Sequence, residues 1–335
     1  MRLVGLKTLK VGDVLAMPVC TSSGKTILNS GVTITETYIE KLKLMKIRKV
    51  YISDGRFDDV ELSEELDFKL KNNAIQVLED THKNVRLSKE VDEYLIKDIS
   101  KDIVEYVLNT RSKGISILSN DAVDDYIFEH SLNVALLSAY LGSSMNFNFN
   151  QLCDLVAGAL IHDIGRENSS EEKVEHVQKG FDAMRKCRGM SLHSSIVCYE
   201  HHENFDGSGY PRKLKGNAIS EFTRVIRAAD VYDNILYGYE GEEGSLMPHQ
   251  AFEYIMSVSG KILDPEIVQH FKNTIIFYPN GCTVLLNNGL KGVVIRQNPG
   301  SPQRPALRIY NDQNVIGELD LVKSLTVFVK DVLVI

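Results

Sequence analysis

The chain has 335 residues, of which 43% are hydrophobic and 25% charged, enough for two or three domains with ample core. Its formal charge of -7 argues against a nucleic-acid polymer as partner, because following a phosphate backbone needs clustered Lys and Arg. The five cysteines, Cys20, Cys153, Cys187, Cys198 and Cys282, are odd in number and never spaced C-x-x-C, so they indicate neither a disulfide framework nor a thiolate zinc site and fit a reducing, cytoplasmic setting.

Residues 1–57 carry short apolar runs broken by glycine, VGDVLAMPV, GKTILNSGVTI and KVYISDG, which predict strands. Between them TETYIEKLKLMKI has helical spacing, giving a small α+β domain. Residues 58–119 turn charged, with apolar positions Val91, Leu95, Ile99, Ile103 and Val107 predicting amphipathic helices. The segment reads equally as an ordinary packed helical hairpin and as a long helical connector, the surface that would support a homodimer or a signalling-protein partner. Residues 120–275 read as predominantly helical, with segments near 123–143, 150–163, 172–187, 190–202, 220–237 and 248–259. The apolar stretch LVAGALI at 155–161 is far short of the roughly 20 residues a membrane span needs, and the N-terminus lacks the apolar core of a signal peptide. From 276 to 335, GCTVLLNNGLKGVVIRQ, ALRIYND and VFVKDVLVI alternate as strands, with NNG and NDQN as turns, and predict a small β-domain.

Six of the nine histidines fall between positions 130 and 202. A single histidine is more often a satisfied core or surface residue than a ligand, so the joint pattern carries the argument. His162 and Asp163 are adjacent at the end of an apolar helix, just before Gly165, where both side chains leave the last turn. His201 and His202 adjoin Glu203 and Asp206. Glu203 reads equally as a carboxylate orienting a ligand histidine and as a solvated loop charge. In RVIRAADVYDNIL, Asp230 sits on an otherwise apolar helix stripe, which is costly unless the carboxylate is paired or bound to metal; Asp233 reads equally as ligand or hydrogen-bond support.

Imidazoles and carboxylates without thiolate suit iron, manganese or zinc. Five histidines and two aspartates are too many ligands for one four-coordinate ion, so two cations are the economical account. Such a pair can share a hydroxide and clamp the oxygens of a phosphodiester, whereas no G-x-S-x-G elbow or GxxxxGK[ST] loop is present to suggest another chemistry.

HD at 162–163, His176, HHE at 201–203, DGSGYP at 206–211 and AADVYD at 228–233 together resemble the HD-GYP subgroup of the HD-superfamily metal-dependent phosphohydrolases, in order and spacing. The resemblance covers about residues 120–275 and implies a mainly α protein: an all-helical catalytic domain flanked by the small N-terminal α+β domain and the small C-terminal β-domain. It implies hydrolysis of cyclic di-GMP to pGpG, and in some members onward to GMP. By the same resemblance His130, His162, Asp163 and Asp230 hold one ion, and Asp163 bridges to a second held by His176, His201 and His202. Fe or Mn are the expected metals, with Zn as the alternative. Asp163 and Arg166 stand at the catalytic positions, and Arg166, Asp206, Gly207, Gly209, Tyr210 and Pro211 border the substrate.

The sequence also departs from the family pattern. Arg166 replaces the lysine of HD-x-G-K, keeping the charge but exchanging a compact ammonium for a planar fork. Tyr126 stands where some relatives place a glutamate for a third metal, leaving Asp125 and Glu129 as the nearby carboxylates. His193 matches no family ligand and reads as structural. Glu240, Glu242 and Glu243 stand where relatives carry a basic patch, and Arg212, Lys213, Arg224 and Arg227 are the cations available to compensate. The alternatives to cyclic di-GMP hydrolysis are therefore a phosphohydrolase for another nucleotide and a metal-stabilised signalling module with little turnover.

Overall fold

The structure, a computed structural model, describes residues 1–20, 26–45, 47, 49–61, 66–110, 126–166, 174–237, 246–311 and 314–333. Residues 1–61 and 276–333 cluster in one compact unit, and residues 66–110 and 126–275 in another.

In the first unit β1 (Arg2–Gly5) pairs antiparallel with β4 (Lys49–Ile52), and β2 (Val19–Cys20) with β3 (Thr26–Leu28). Helix α1 (Glu36–Leu44) begins at Thr35, whose side chain accepts the Tyr38 N–H and so satisfies one of the amides left open at a helix start. The predicted strand over VGDVLAMPV is reduced to isolated bridges at Val14 and Leu15 and to β2. Gly12, in a left-handed conformation, begins that break. Five more strands, β5 (Thr283–Leu286), β6 (Lys291–Arg296), β7 (Ala306–Tyr310), β8 (Val315–Asp320) and β9 (Val329–Val332), form an antiparallel sheet in the order β8-β7-β6-β5-β9. The two ends of the chain meet in this unit. Leu3 N–H donates to the Gly281 carbonyl at 2.9 Å, Thr283 Oγ1 donates to the Leu3 carbonyl at 2.8 Å, and Phe57 packs with Val293 and Tyr310.

The second unit is helical: α2 (Phe68–Arg86), α3 (Glu93–Thr110), α4 (Tyr126–Ser144), α5 (Phe149–Ile161), α6 (Glu175–Met184), α7 (Leu192–Glu200), α8 (Glu221–Tyr237), α9 (Pro248–Ser257) and α10 (Pro265–Thr274). Helix α5 is its axis. Asn148 and Gln151 close a reciprocal capping box at its start, and Leu152 and every residue from Leu155 to Ile161 are buried. A helix apolar on all sides needs neighbours all round, and α3, α4, α7 and α8 supply them. The apolar stripe of α3 thus turns inward, burying Ile96, Ile99, Ile103, Val104 and Val107. Among the described residues no helix is long and apolar enough to cross a membrane, and Cys153, Cys187, Cys198 and Cys282 are free thiols.

Candidate metal centre

The C-terminal end of α5 delivers the first two polar groups. His162 caps the helix, and Asp163 follows in the turn that leads to Gly165. A Cβ at Gly165 would lie 2.0 Å from the His176 carbonyl and 2.6 Å from the Gly180 amide, so only glycine lets this turn press against α6. That contact brings His176, in the first turn of α6, toward Asp163. Helix α4 contributes His130, the end of α7 contributes His201 and His202, and α8 contributes Asp230. All seven side chains are buried.

They form two groups. The ligand atoms of His130, His162 and Asp230 lie within 4.8 Å of one another, as do those of Asp163, His176, His201 and His202. In the first group His130 Nε2 is 3.2 Å from both His162 Nε2 and Asp230 Oδ1. In the second His176 Nε2 is 3.4 Å from His201 Nε2 and 3.1 Å from His202 Nε2. Asp163 faces both groups, with Oδ2 3.6 Å from His162 Nε2 and Oδ1 3.2 Å from His201 Nε2 and 3.7 Å from His176 Nε2.

Hydrogen bonds on the far side of the rings fix what the inward nitrogens offer. His162 Nδ1 lies 2.7 Å from the Ala159 carbonyl and His201 Nδ1 3.2 Å from that of Val197. A carbonyl can only accept, so each Nδ1 carries a proton and Nε2 is the nitrogen turned to the centre, where a metal would take its lone pair. His201 Nε2 lies 3.2 Å from Asp163 Oδ1, a buried oxygen that makes no well-aligned hydrogen bond. Arg166 Nε stands 3.0 Å from this oxygen as an ion pair. Buried carboxylate and imidazole atoms gathered this closely are the donor set of a divalent cation, and they fit one.

The electrostatics agree. Burial depresses His162 and His176 to about 4 each, and for His176 the neighbouring His201 adds to the effect. Burial, followed by His201 and Arg227, holds His202 well below the usual imidazole value. All three rings are therefore neutral and available as ligands near pH 7. His130 behaves oppositely: burial disfavours its charge, but hydrogen bonds to Asp230 and Asp233 outweigh that and push it up to about 10. Without metal, the proton on His130 stands in for a cation. Burial works against the charged forms of Asp163 and Asp230 as well, yet Arg166 for the first and His130 for the second hold both carboxylates below the usual range.

Asp233 is a support: its Oδ2 lies 2.7 Å from His130 Nδ1, and its Oδ1 accepts from Asn133 at 3.0 Å. Sequence reasoning missed Asn234, which donates to Asp230 Oδ1 at 2.7 Å, and the role of Arg227, which donates to Asp230 Oδ2 at 2.9 Å. Spacings of three and four residues on α8 are the signal that could have revealed both. Glu203 takes neither of its two expected roles. It is buried and accepts the backbone N–H groups of Arg212 at 2.6 Å and Leu214 at 3.0 Å, tying down the chain after Pro211.

The loop at 206–211 folds back over the histidine pair. Gly207 has φ +87, and a Cβ at Gly209 would lie 2.3 Å from the Asn204 amide and 2.5 Å from the His202 carbonyl. Tyr210 stacks on His202 with ring centroids 4.7 Å apart and is joined to Pro211 by a cis peptide. The Asp206 carboxylate closes the loop on itself by accepting from Ser208 N–H at 2.8 Å. Of the expected compensating cations, Arg212 pairs with Glu200, Arg224 with Asp264 and Arg227 with Asp230, while Lys213 stands in the loop with φ 54. Glu129 pairs with Lys71. His193 packs against Phe222, away from both groups. Glu240, Glu242, Glu243 and Asp125 lie outside the described residues, as does the side chain of Tyr126.

Comparison with known proteins agrees with this geometry. Residues 192–267 match the family described as HD domain, and residues 283–335 match the KOW domain associated with HD domain. The cyclic di-GMP phosphodiesterase PA4108 of Pseudomonas aeruginosa is 26% identical over 243 residues, which are 68% of this chain and 58% of that protein. The 3'3'-cGAMP-specific phosphodiesterase 1 of Vibrio cholerae is 34% identical over 126 residues, 33% of this chain and 29% of that protein. The chain thus spans little more than half the length of the first relative and less of the second. Bd1817, an HDG"Y"P protein from Bdellovibrio bacteriovorus, superposes over 80% of this chain and 97% of its own with a TM-score of 0.50 at 20% identity, a likeness of fold. Residues 192–267 are thus similar to an HD domain and residues 283–335 to a KOW domain, in a chain whose fold is like that of an HD-GYP protein.

Proposed function

We propose that the chain is a metal-dependent phosphodiesterase for cyclic dinucleotides, with cyclic di-GMP as substrate, pGpG as first product and GMP as the product of further cleavage. The observation that carries this reading is the Asp163 carboxylate, whose two oxygens face two separate sets of inward-pointing imidazole nitrogens. His130, His162, Asp163 and Asp230 would hold one divalent cation, and Asp163, His176, His201 and His202 a second. Iron or manganese fits this set best, with zinc as the alternative. Bound there, the pair would supply Lewis acidity toward the phosphodiester and make water acidic enough to ionise near neutral pH.

The chain's own residues prepare that chemistry. Asp233 holds the His130 ring by its Nδ1, and the Ala159 and Val197 carbonyls hold His162 and His201, so the ligand nitrogens need not reorganise. Arg166 keeps Asp163 ionised and sets a guanidinium at the edge of the centre, where a substrate phosphate would pass. Gly209 draws Tyr210 over His202, forming a wall beside the pocket. In this reading residues 120–275 are the catalytic domain, residues 58–119 the helical connector, and the protein works in the reducing cytoplasm, where its free thiols persist. A homodimer or signalling contact through the connector would use the outer faces of its helices, because the apolar stripe of α3 is packed inside the unit.

A second substrate, 3'3'-cGAMP, is favoured by the relatives that bear that activity in their names. Protein loaded anaerobically with Fe(II) or Mn(II) should convert at least one of the two dinucleotides to linear product, resolved by ion-exchange chromatography. If both stay intact over hours while two metals are bound per chain, the proposal fails.

A further inference from the structure

A cleft of about 1110 Å³ opens in the helical unit beside the metal centre. One wall is the end of α2, with His82 and Arg86; the other is α6 and the turn after it, with Lys179 and Lys186; Gly165 and Arg166 line its floor. Arg166 therefore belongs to both places, since its Nε pairs with Asp163.

Charge and chemistry in the cleft point to an anionic, aromatic ligand. Lys89 and Arg188 add to the cations. Four acidic residues also line it, but three are already engaged within the protein: Glu93 accepts the Gly189 N–H, Asp182 pairs with Arg185, and Asp92 accepts the first amides of α3. No carboxylate among the described residues pairs with Arg86, Lys186 or Arg188. The phenol ring of Tyr94 lines the rim and is 73% exposed, an aromatic face with nothing stacked on it from the described chain.

A second and independent observation is His82. Its side chain is only 5% exposed, yet Nε2 makes no hydrogen bond, and the residue lines the cleft. A buried polar atom without a partner is costly in a folded protein, and one at the wall of a cationic cleft is accounted for by a ligand that completes it. Burial keeps the ring neutral, and its one N–H goes to the Arg166 backbone carbonyl, so Nε2 presents a lone pair that a ribose hydroxyl of the ligand can fill without bringing another charge into the wall.

We propose that this cleft is a second nucleotide subsite of the same active centre: it holds the half of the dinucleotide remote from the bond being cut, with its phosphate between Arg86 and Lys186, a ribose hydroxyl toward His82 and its base against Tyr94. The inference rests on the phosphodiesterase reading and deepens it, giving the α2 wall a share in substrate selection. A cyclic dinucleotide carries two phosphates and two bases, and a metal pair working on one phosphodiester leaves the other phosphate to be bound elsewhere. Aromatic stacking together with cations is the general means of holding such a unit.

The test separates the cleft from the metal centre. In the full chain loaded with Mn(II), Arg86→Glu combined with Lys186→Glu, both exposed positions, should raise KM for cyclic di-GMP at least about tenfold and change kcat less than about threefold. Bis(p-nitrophenyl) phosphate, which has neither a second phosphate nor a purine, should be hydrolysed at an unchanged rate. The charge-keeping pair Arg86→Lys and Lys186→Arg should restore KM, and Tyr94→Ala should raise it where Tyr94→Phe does not. Equilibrium dialysis of GMP, which involves no turnover, should rank the variants in the same order. An unchanged KM together with unchanged GMP binding in the charge-reversed chain overturns the subsite. A chain that binds GMP in this charge-dependent way but cleaves neither dinucleotide overturns the phosphodiesterase reading and leaves the subsite standing.

Discussion

Replacing Gly165 by alanine tests whether the turn after α5 is what assembles the metal centre. The added Cβ would sit 2.0 Å from the His176 carbonyl and 2.6 Å from the Gly180 amide, both backbone atoms that no side-chain rotation can move aside. Going from 2.0 Å out to the 3.4 Å of ordinary contact is a displacement of about 1.4 Å between this turn and α6. Asp163 Oδ1 and His176 Nε2 are now 3.7 Å apart, and the same displacement along their line would put them about 5.1 Å apart. Two atoms that each bind an ion at about 2.1 Å can be no more than about 4.2 Å from each other. On the proposed two-ion reading, Gly165→Ala should therefore lose the ion that His176, His201 and His202 would hold and retain at most the other. Overpacking should also cost about 1–3 kcal/mol of stability. Metal per chain by plasma mass spectrometry reads the first effect, and the urea midpoint reads the second. A variant that keeps two ions per chain and unfolds within about 0.5 kcal/mol of the parent would refute the argument.

Other substitutions probe the supports around the centre. Asp233→Asn leaves a neutral amide facing His130 Nδ1 and should weaken metal affinity about 10–100-fold, measured by competition with a chromophoric chelator. Glu203→Gln puts an amide NH₂ against one of two backbone donors, so it should cost about 1–3 kcal/mol in urea unfolding and raise KM by loosening the chain after Pro211. His82 gives the pH prediction. Its folded value of about 4, set by burial, lies below the ordinary 6.5, so the unfolded chain takes up the proton first as pH falls. This residue's contribution to stability is intact above pH 6.5, declines between 6.5 and about 4, and amounts to on the order of 2–3 kcal/mol. Urea unfolding from pH 7 to 4.5 should show a shallower decline in His82→Leu than in the parent; equal slopes would show that the ring is not held neutral.

The parts of the fold that were legible in the sequence are those where one local signal dominates. LVAGALI, apolar on every side, could only be a central helix, and α5 is one. The hairpin of β5 and β6 followed from NNG between two alternating runs. Helix α10 is short and has few apolar residues, so periodicity alone does not predict it, although Asp264 and Pro265 mark its start, the aspartate accepting the Glu266 N–H. In α3 the predicted face is the buried one at Ile99, Ile103 and Val107 and departs from it at Leu95. Stepping by four from Val91 through Leu95 to Val107 drifts about 40° per step around a helix of 3.6 residues per turn, and over four steps the ends no longer share a side. Leu95 is accordingly 47% exposed, and Ile96 takes the inward position. The meeting of the chain's two ends in one unit left no local trace, because Leu3 and Thr283 are joined through backbone groups that every residue possesses.

The candidate site was more legible than the fold around it, and for a physical reason. Buried charge is so costly that a carboxylate flanked by alanines, or a histidine pair beside a glycine loop, has few explanations, and each narrows the others. Asp230 and Asp233 illustrate where that reasoning stops. Both are buried acids three residues apart on α8, and composition cannot rank them. Geometry does: Asp230 meets the inward Nε2 of His130, and Asp233 meets the outward Nδ1 of the same ring. One ring nitrogen can serve the centre only if the other is held from behind. The difference between a ligand and its support is thus a matter of which side of an imidazole a carboxylate reaches, and that is fixed by the crossing of α4 and α8 rather than by residue type.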